Sequence, residues 1–198
     1  NSIKYEYSES KKDASIKSLP KDAFLLAAFH QTSKLSFDVV NSWADILRKS
    51  ENTFLWMKNP NNFAKKNLIS FFDSCNIDKN RILFAENVDS YFEHLSRYSS
   101  ADIFLDTFFY NGHTTLVECI WSELPFISLP GNSFASRVGG SILHCLDLDE
   151  LICQSVDEYI EKVIFYSLNN EELKILKNKI KKEKKKNKFF DQKNFTKN

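Results

Sequence analysis

Asp106-Thr-Phe-Phe-Tyr-Asn-Gly-His-Thr-Thr115 follows the apolar run Ile103–Leu105 and precedes a helix-like run over 116–121. A strand, a tight polar turn with one glycine, then a helix is the arrangement with which α/β proteins turn backbone N–H groups toward a phosphate. Gly112 lets the backbone come close to a ligand. Thr114 and Thr115 add hydroxyl donors, and His113 adds a ring donor. The same residues also suit an ordinary strand–helix connection whose threonines cap the helix, and spacing alone leaves both readings open.

Outward from this turn, apolar strands alternate with amphipathic helices. Residues 24–29 form a continuous apolar run, as a buried parallel strand does. Ser36 can cap a helix running to Lys49, with Val39, Val40, Trp43, Ile46 and Leu47 on one face. Further strands are expected over 53–57, 81–84, 101–106 and 125–129, with a short sixth at 151–153. Further helices are expected over 63–75, 89–98, 116–123, 133–145 and 156–168. This order predicts an α/β domain of the Rossmann-like kind, a parallel sheet with helices on both faces. Residues 1–19 read as a linker or the end of a preceding region. Residues 20–168 read as the domain, and 169–198 as a C-terminal helix with a lysine-rich tail.

Composition narrows the function classes. The chain has 198 residues, 42% of them hydrophobic, enough for one cored domain with extensions. A net charge of +1 gives no global attraction to nucleic acid or anionic membrane. The lysines over 174–188 lack interleaved aromatics, so a solvated helix face is expected and no nucleic-acid partner. Cys75, Cys119, Cys145 and Cys153 show no CxxC spacing, which points to reduced, buried thiols and a cytoplasmic setting. No apolar run approaches a membrane span, and no signal peptide opens the chain. The first residue is Asn1 and the sole methionine is Met57, so a piece of a longer polypeptide is expected.

Three strand ends carry the candidate chemistry, because ligands of such sheets bind at the carboxyl ends of the strands. After the first strand comes His30-Gln31-Thr32-Ser33-Lys34, where a lysine can reach a diphosphate as a compact point charge. After the third come Asn87-Val88-Asp89 and then His94 and Arg97, three apart and hence on one helix face. After the fourth come the 111–115 turn and Glu118, a carboxylate suited to ribose hydroxyls. Asp147-Leu148-Asp149 resembles a metal-binding pair, but it lies away from this rim and is read as chance. No metal site is expected. No serine lies in a nucleophile elbow.

Several of these residues carry a family resemblance. Phe29-His-Gln-Thr-Ser-Lys34, Trp43-Ala-Asp-Ile-Leu47, Thr53-Phe-Leu-Trp56 and Glu93-His-Leu-Ser-Arg97 resemble the catalytic region of protein O-linked N-acetylglucosamine transferases. The densest match is Ala101-Asp-Ile-Phe-Leu-Asp-Thr107, Asn111-Gly-His-Thr-Thr115, Leu124-Pro125, Gly131 and Phe134-Ala-Ser-Arg-Val138. It continues through Glu150-Leu-Ile152 and Asp157-Glu-Tyr159, so the resemblance covers nearly the whole chain. It implies the C-terminal half of a GT-B glycosyltransferase that holds UDP-GlcNAc, needs no cofactor or metal, and transfers the sugar to protein Ser or Thr hydroxyls with inversion.

By the same resemblance, Gln31 and Lys34 contact the nucleotide and its diphosphate, and Lys34 is the catalytic residue. Backbone groups at Val88 and Asp89 read the uracil, and His94 and Arg97 contact the uridine. His113, Thr114 and Thr115 form the diphosphate turn. Glu118 stands where the family usually has aspartate for the ribose. The expected partners are thus a UDP-sugar and protein acceptors. The family's N-terminal catalytic half, with its histidine near the acceptor, is not in this sequence, nor are tetratricopeptide repeats.

Two other functions stay open at this point. One is a SPINDLY-like protein O-fucosyltransferase using GDP-fucose, although the His113 and Ser136-Arg137 features favour the uridine nucleotide. The other is a non-catalytic UDP-binding remnant.

Overall fold

The computed structural model describes residues 13–186 and 188–190. Its centre is one parallel sheet of five strands, β1 (Phe24–Ala28), β2 (Thr53–Lys58), β3 (Ile82–Ala85), β4 (Ile103–Leu105) and β5 (Phe126–Ile127). The spatial order is β3-β2-β1-β4-β5. Register is set by pairs such as Leu26 with Leu55 and Leu26 with Ile103. All five residues of β1 are buried, which requires cover on both faces. Right-handed crossovers provide it: α1 (Phe37–Lys49) and α2 (Asn62–Ser74) return the chain on one face, α4 (Thr114–Trp121) on the other.

The helices begin where capping chemistry allows. Ser36 accepts from the Val39 N–H at the start of α1, and Asn61 from the Ala64 N–H at the start of α2. The apolar stripe of α1 is buried, and its Trp43 indole donates to the Tyr159 hydroxyl on α6 (Val156–Leu168) at 3.3 Å. Between them, α3 (Tyr91–Tyr98) joins β3 to β4 and α5 (Val138–Cys145) follows β5. Along α7 (Asn170–Lys186), Leu173, Leu176 and Ile180 enter the main core, while most of its lysines face outward.

Three local expectations change. The sixth strand does not form: Asp149–Leu151 is a turn of 3-10 helix, and only Ile152 makes a single parallel bridge to Ser128. The helix expected over 133–145 is split. Ser133 and Ser136 close a reciprocal capping box around a 3-10 turn, and α5 begins after it. Finally, part of the 1–19 linker lies outside the described residues, but its described end packs on the domain. Asp13 accepts from the Glu86 N–H and pairs with Arg97, Ser15 accepts the Trp56 indole N–H, and Ile16 is buried.

Candidate functional site

Strand order places the site. The chain runs outward from β1 to β2 and β3, then returns to β4 on the other side of β1. The connections after β1 and β4 therefore diverge at the carboxyl edge and leave a crevice between them, the topological switch point of an open α/β sheet. Gln31 and Lys34 leave β1 toward this crevice; Thr114 and Thr115 open α4 beside it. First-turn N–H groups of a helix have no acceptor within the helix, so they face outward as donors.

A buried carboxylate shapes the β4 connection. Asp106 Oδ1 accepts from the N–H groups of Thr107 and Gly112, at 2.9 and 2.8 Å, and Oδ2 accepts from the Ser128 hydroxyl at 2.6 Å. Burial pushes its pKa up to about 7, against the pull of those bonds and of Lys34. Asn111, also buried, donates to the Thr107 carbonyl and accepts from the Gly139 N–H at 3.0 Å. The turn over 106–112 is thus stapled to Ser128, just past β5, and to α5. Its Asn111 carbonyl then accepts from Lys34 Nζ at 2.9 Å, and the same ammonium sits 4.0 Å from the Tyr110 ring centroid. Burial lowers the Lys34 pKa, and Asp106 opposes this.

His30 lies beneath. Burial drives its pKa down to about 4, so the ring is neutral, and Nε2–H donates to the Leu105 carbonyl at 2.7 Å. Its Nδ1 has no hydrogen-bond partner among the described residues.

From the switch point an open cleft of 530 Å³ extends along the edge toward β3, walled by Gln31, Lys34, Thr114 and Thr115 at one side and by Val88, Asp89 and Arg97 at the other. Glu118 and His94 line its middle. Glu118 accepts from the hydroxyls of Tyr91 and Tyr98, both at 2.9 Å, and its carboxylate is 3.6 Å from His94 Nε2. Burial pushes the Glu118 pKa up, but bonds from His94, Tyr91 and Tyr98 outweigh it and leave a net lowering.

Of the ten residues read from the sequence, nine line this cleft. His113 does not. It is the N-cap residue of α4, and its ring stacks on Tyr110 at 5.2 Å with Nε2 buried and without a partner among the described residues. Arg97 lines the cleft, but its guanidinium is spoken for by Asp13 at 3.1 Å and by the Glu86 carbonyl. Sequence reading passed over Lys58 and Asn59, which line the cleft at the end of β2 and obey the same carboxyl-end rule. It also passed over Asp106, Tyr91, Tyr98 and Tyr110, whose roles come from contacts between separate elements. Among the described residues no group of His, Cys, Asp and Glu could hold a metal ion, and no helix is long and apolar enough to cross a membrane. Asp149 of the expected chance pair bonds His144 instead. Cys119 and Cys153 are buried as expected, whereas Cys75 is only half-buried and Cys145 is exposed.

Comparison with known proteins gives consistent results. The model of Glycosyl transferase family 41 matches residues 11–198. A probable UDP-N-acetylglucosamine–peptide N-acetylglucosaminyltransferase, SEC of Arabidopsis thaliana, is 33% identical over 159 residues, 80% of this chain and 16% of that protein. The UDP-N-acetylglucosamine–peptide N-acetylglucosaminyltransferase of Caenorhabditis elegans is 32% identical over 142 residues, 72% of this chain and 12% of that protein. The chain therefore spans less than a fifth of the length of either relative. Among solved structures, a mutant O-GlcNAc transferase of Thermobaculum terrenum superposes with a TM-score of 0.83 at 21% identity, over 96% of this chain and 35% of that one. The UDP-GlcNAc 2-epimerase of Neisseria meningitidis bound to UDP-GlcNAc superposes with a TM-score of 0.57 at 12% identity, over 81% of this chain and 40% of that one. The five-stranded parallel sheet with its helices matches the fold of GT-B glycosyltransferase domains.

Proposed function

The chain belongs to glycosyltransferase family 41, and from that premise we propose that it is the C-terminal, donor-binding half of a protein O-linked N-acetylglucosamine transferase. The observation that supports this most is that Lys34, held to the Asn111 carbonyl, and Thr114 and Thr115 of the first turn of α4 line one cleft of 530 Å³. Lys34 and the Thr114 and Thr115 N–H groups receive the diphosphate, with Gln31 beside them. Glu118 accepts from the ribose hydroxyls. Main-chain groups of Val88 and Asp89 face the uracil. His94 packs on the nucleoside while bonded toward Glu118, and Arg97 holds the wall of the cleft through Asp13 and Glu86.

The reaction in this reading is an inverting transfer. An acceptor Ser or Thr oxygen bonds to the anomeric carbon as the carbon–phosphate oxygen bond breaks, and the electron pair leaves on UDP. Charge builds on the departing diphosphate, where the fixed Lys34 ammonium and the α4 N–H groups stabilise it without a metal. The hydroxyl proton goes to a base outside this chain's cleft. His113 acts on the diphosphate turn as the N-cap residue of α4, through the ring of Tyr110. The setting proposed is the cytoplasm, and protein acceptors are the second partner.

Calorimetry of the chain with UDP and with GDP, both in chelator, tests this. Tighter binding of UDP without metal is expected. Equal affinities, or an absolute need for a divalent cation, overturn it.

A further inference from the structure

Lys34 and Tyr110 come from different connections, one after β1 and one after β4. The Lys34 ammonium is 4.0 Å from the Tyr110 ring centroid and 2.9 Å from the Asn111 carbonyl oxygen. Asp106 acts on it through space, its own oxygens accepting from Thr107, Gly112 and Ser128. The ring is itself held in place: His113 stacks on it with planes 20° apart, and the Tyr110 carbonyl accepts the Thr107 hydroxyl at 2.6 Å. About half of Tyr110 is exposed, so it contributes little to the core, and the Lys34 contact is with its ring.

We propose that Tyr110 is a positioning residue for Lys34, the face of its ring keeping the ammonium seated at the switch point beside the first turn of α4. A lysine on a four-carbon stem next to an open cleft has many rotamers. One carbonyl dipole leaves it free to pivot, and an aromatic face removes that freedom. The ring's negative face also offsets the partial desolvation of the ammonium, which otherwise favours loss of its proton. Among the described residues, the charged or titratable groups that face Lys34 are Asp106 from the end of β4, His30 from its own connection, which is neutral, and Tyr110 itself. The ring face therefore helps to keep a full positive charge in place before any diphosphate arrives. What that charge receives rests on the reading given above; the seating itself does not.

The test uses the chain with ¹³C-labelled lysine Cε, followed by NMR, with the Lys34 signal assigned by its loss in Lys34→Arg. Tyr110→Phe keeps the ring face, and Tyr110→Leu keeps apolar bulk without it. In the wild type and in Tyr110→Phe the Lys34 Hε protons should show an upfield ring-current shift. In Tyr110→Leu that shift should vanish, and the Lys34 pKa should fall by about 0.4 to 1.5 units. Binding of UDP by calorimetry should weaken about two- to thirtyfold in Tyr110→Leu and stay within twofold of wild type in Tyr110→Phe. No ring-current shift in the wild type overturns the proposal whether or not the leucine variant folds. So does a leucine variant with unchanged shift and pKa, or a phenylalanine variant that loses both. Failure of the wild type to bind UDP counts against the nucleotide reading alone, since the lysine signals need no nucleotide.

Discussion

Lys34 and Asn111, 77 residues apart in sequence, meet across the switch point through a 2.9 Å bond from the ammonium to a main-chain carbonyl. That bond joins the two connections that diverge from the sheet. Its acceptor is fixed in turn by the Asn111 side chain, which reaches the Thr107 carbonyl and the Gly139 N–H. The acceptor that holds the proposed catalytic charge is therefore anchored in the polar core around Asp106.

Gly139→Ala tests how tightly that core is built. A Cβ there would stand 2.3 Å from the Ser128 hydroxyl oxygen and 2.6 Å from Asp106 Oδ2. Neither atom can give way without breaking the bond between them. Chemical denaturation should show a loss of about 1–3 kcal/mol, and UDP affinity should fall with it as the Asn111 carbonyl shifts. An unchanged midpoint and slope would mean that α5 moves aside at little cost.

His30 and Asp106 should give opposite pH dependences. The His30 pKa, about 4 when folded, is below its ordinary value, so its contribution is present above about pH 6.5 and lost as pH falls toward 4. The Asp106 pKa, about 7 when folded, is above its ordinary value, so its contribution is present below about pH 4 and lost as pH rises toward 7. The two largely cancel in the wild type and must be read against variants. The stability of wild type minus that of His30→Gln should shrink on acidification from 6.5 to 4. Wild type minus Asp106→Asn should instead shrink as pH rises from 4 to 7. Urea unfolding across that range is the measurement; two flat differences would refute the burial argument.

Much of this architecture was legible beforehand because strands buried on both faces leave continuous apolar runs and parallel neighbours require crossover helices. Gln31, Lys34, Thr114 and Glu118 were found by their places after strands, and the fold brings them to one cleft. Contacts between distant elements were not legible. Nothing local says that Asp13 would pair with Arg97, or that Tyr91 and Tyr98 would share the Glu118 carboxylate. The ring of His113 lies off the cleft wall, because it packs on Tyr110 and Phe134. The sixth strand failed since Asp149–Leu151 wound into a 3-10 turn, leaving one residue to pair.

Glu118→Gln examines ribose recognition. The carboxylate is held ionised by three neighbours, and a hydrogen bond to a charged group is worth about 1.5–3 kcal/mol. UDP should therefore bind Glu118→Gln roughly ten- to a hundredfold more weakly. A 2′,3′-dideoxy analogue of UDP should bind wild type and variant alike, since it has no hydroxyls to lose. If both ligands weaken equally, Glu118 maintains the cleft through Tyr91 and Tyr98 and does not read the ribose.

Lys34 and His94 should separate chemistry from binding, tested in an enzyme that carries both halves of the transferase. The bound donor already holds its diphosphate charge, so Lys34 gives some attraction in the ground state. More negative charge appears on the leaving group only as the glycosidic bond breaks. An ammonium fixed by Asn111 and Tyr110 needs no reorganisation to meet it, and so interacts more strongly in the transition state. Lys34→Ala should therefore lower kcat by roughly 10² to 10³, about 3–4 kcal/mol, with a smaller change in donor affinity. In the proposed reading His94, 3.6 Å from Glu118, serves the nucleoside end, where no charge develops during transfer. His94→Ala should chiefly raise the donor KM and leave kcat near normal, the pattern of binding lost equally from ground and transition states. Initial rates at saturating acceptor, over a full range of donor, give both parameters for both variants. Near-normal kcat in Lys34→Ala at saturating donor would make Lys34 a binding residue and move the leaving-group stabilisation to the first turn of α4.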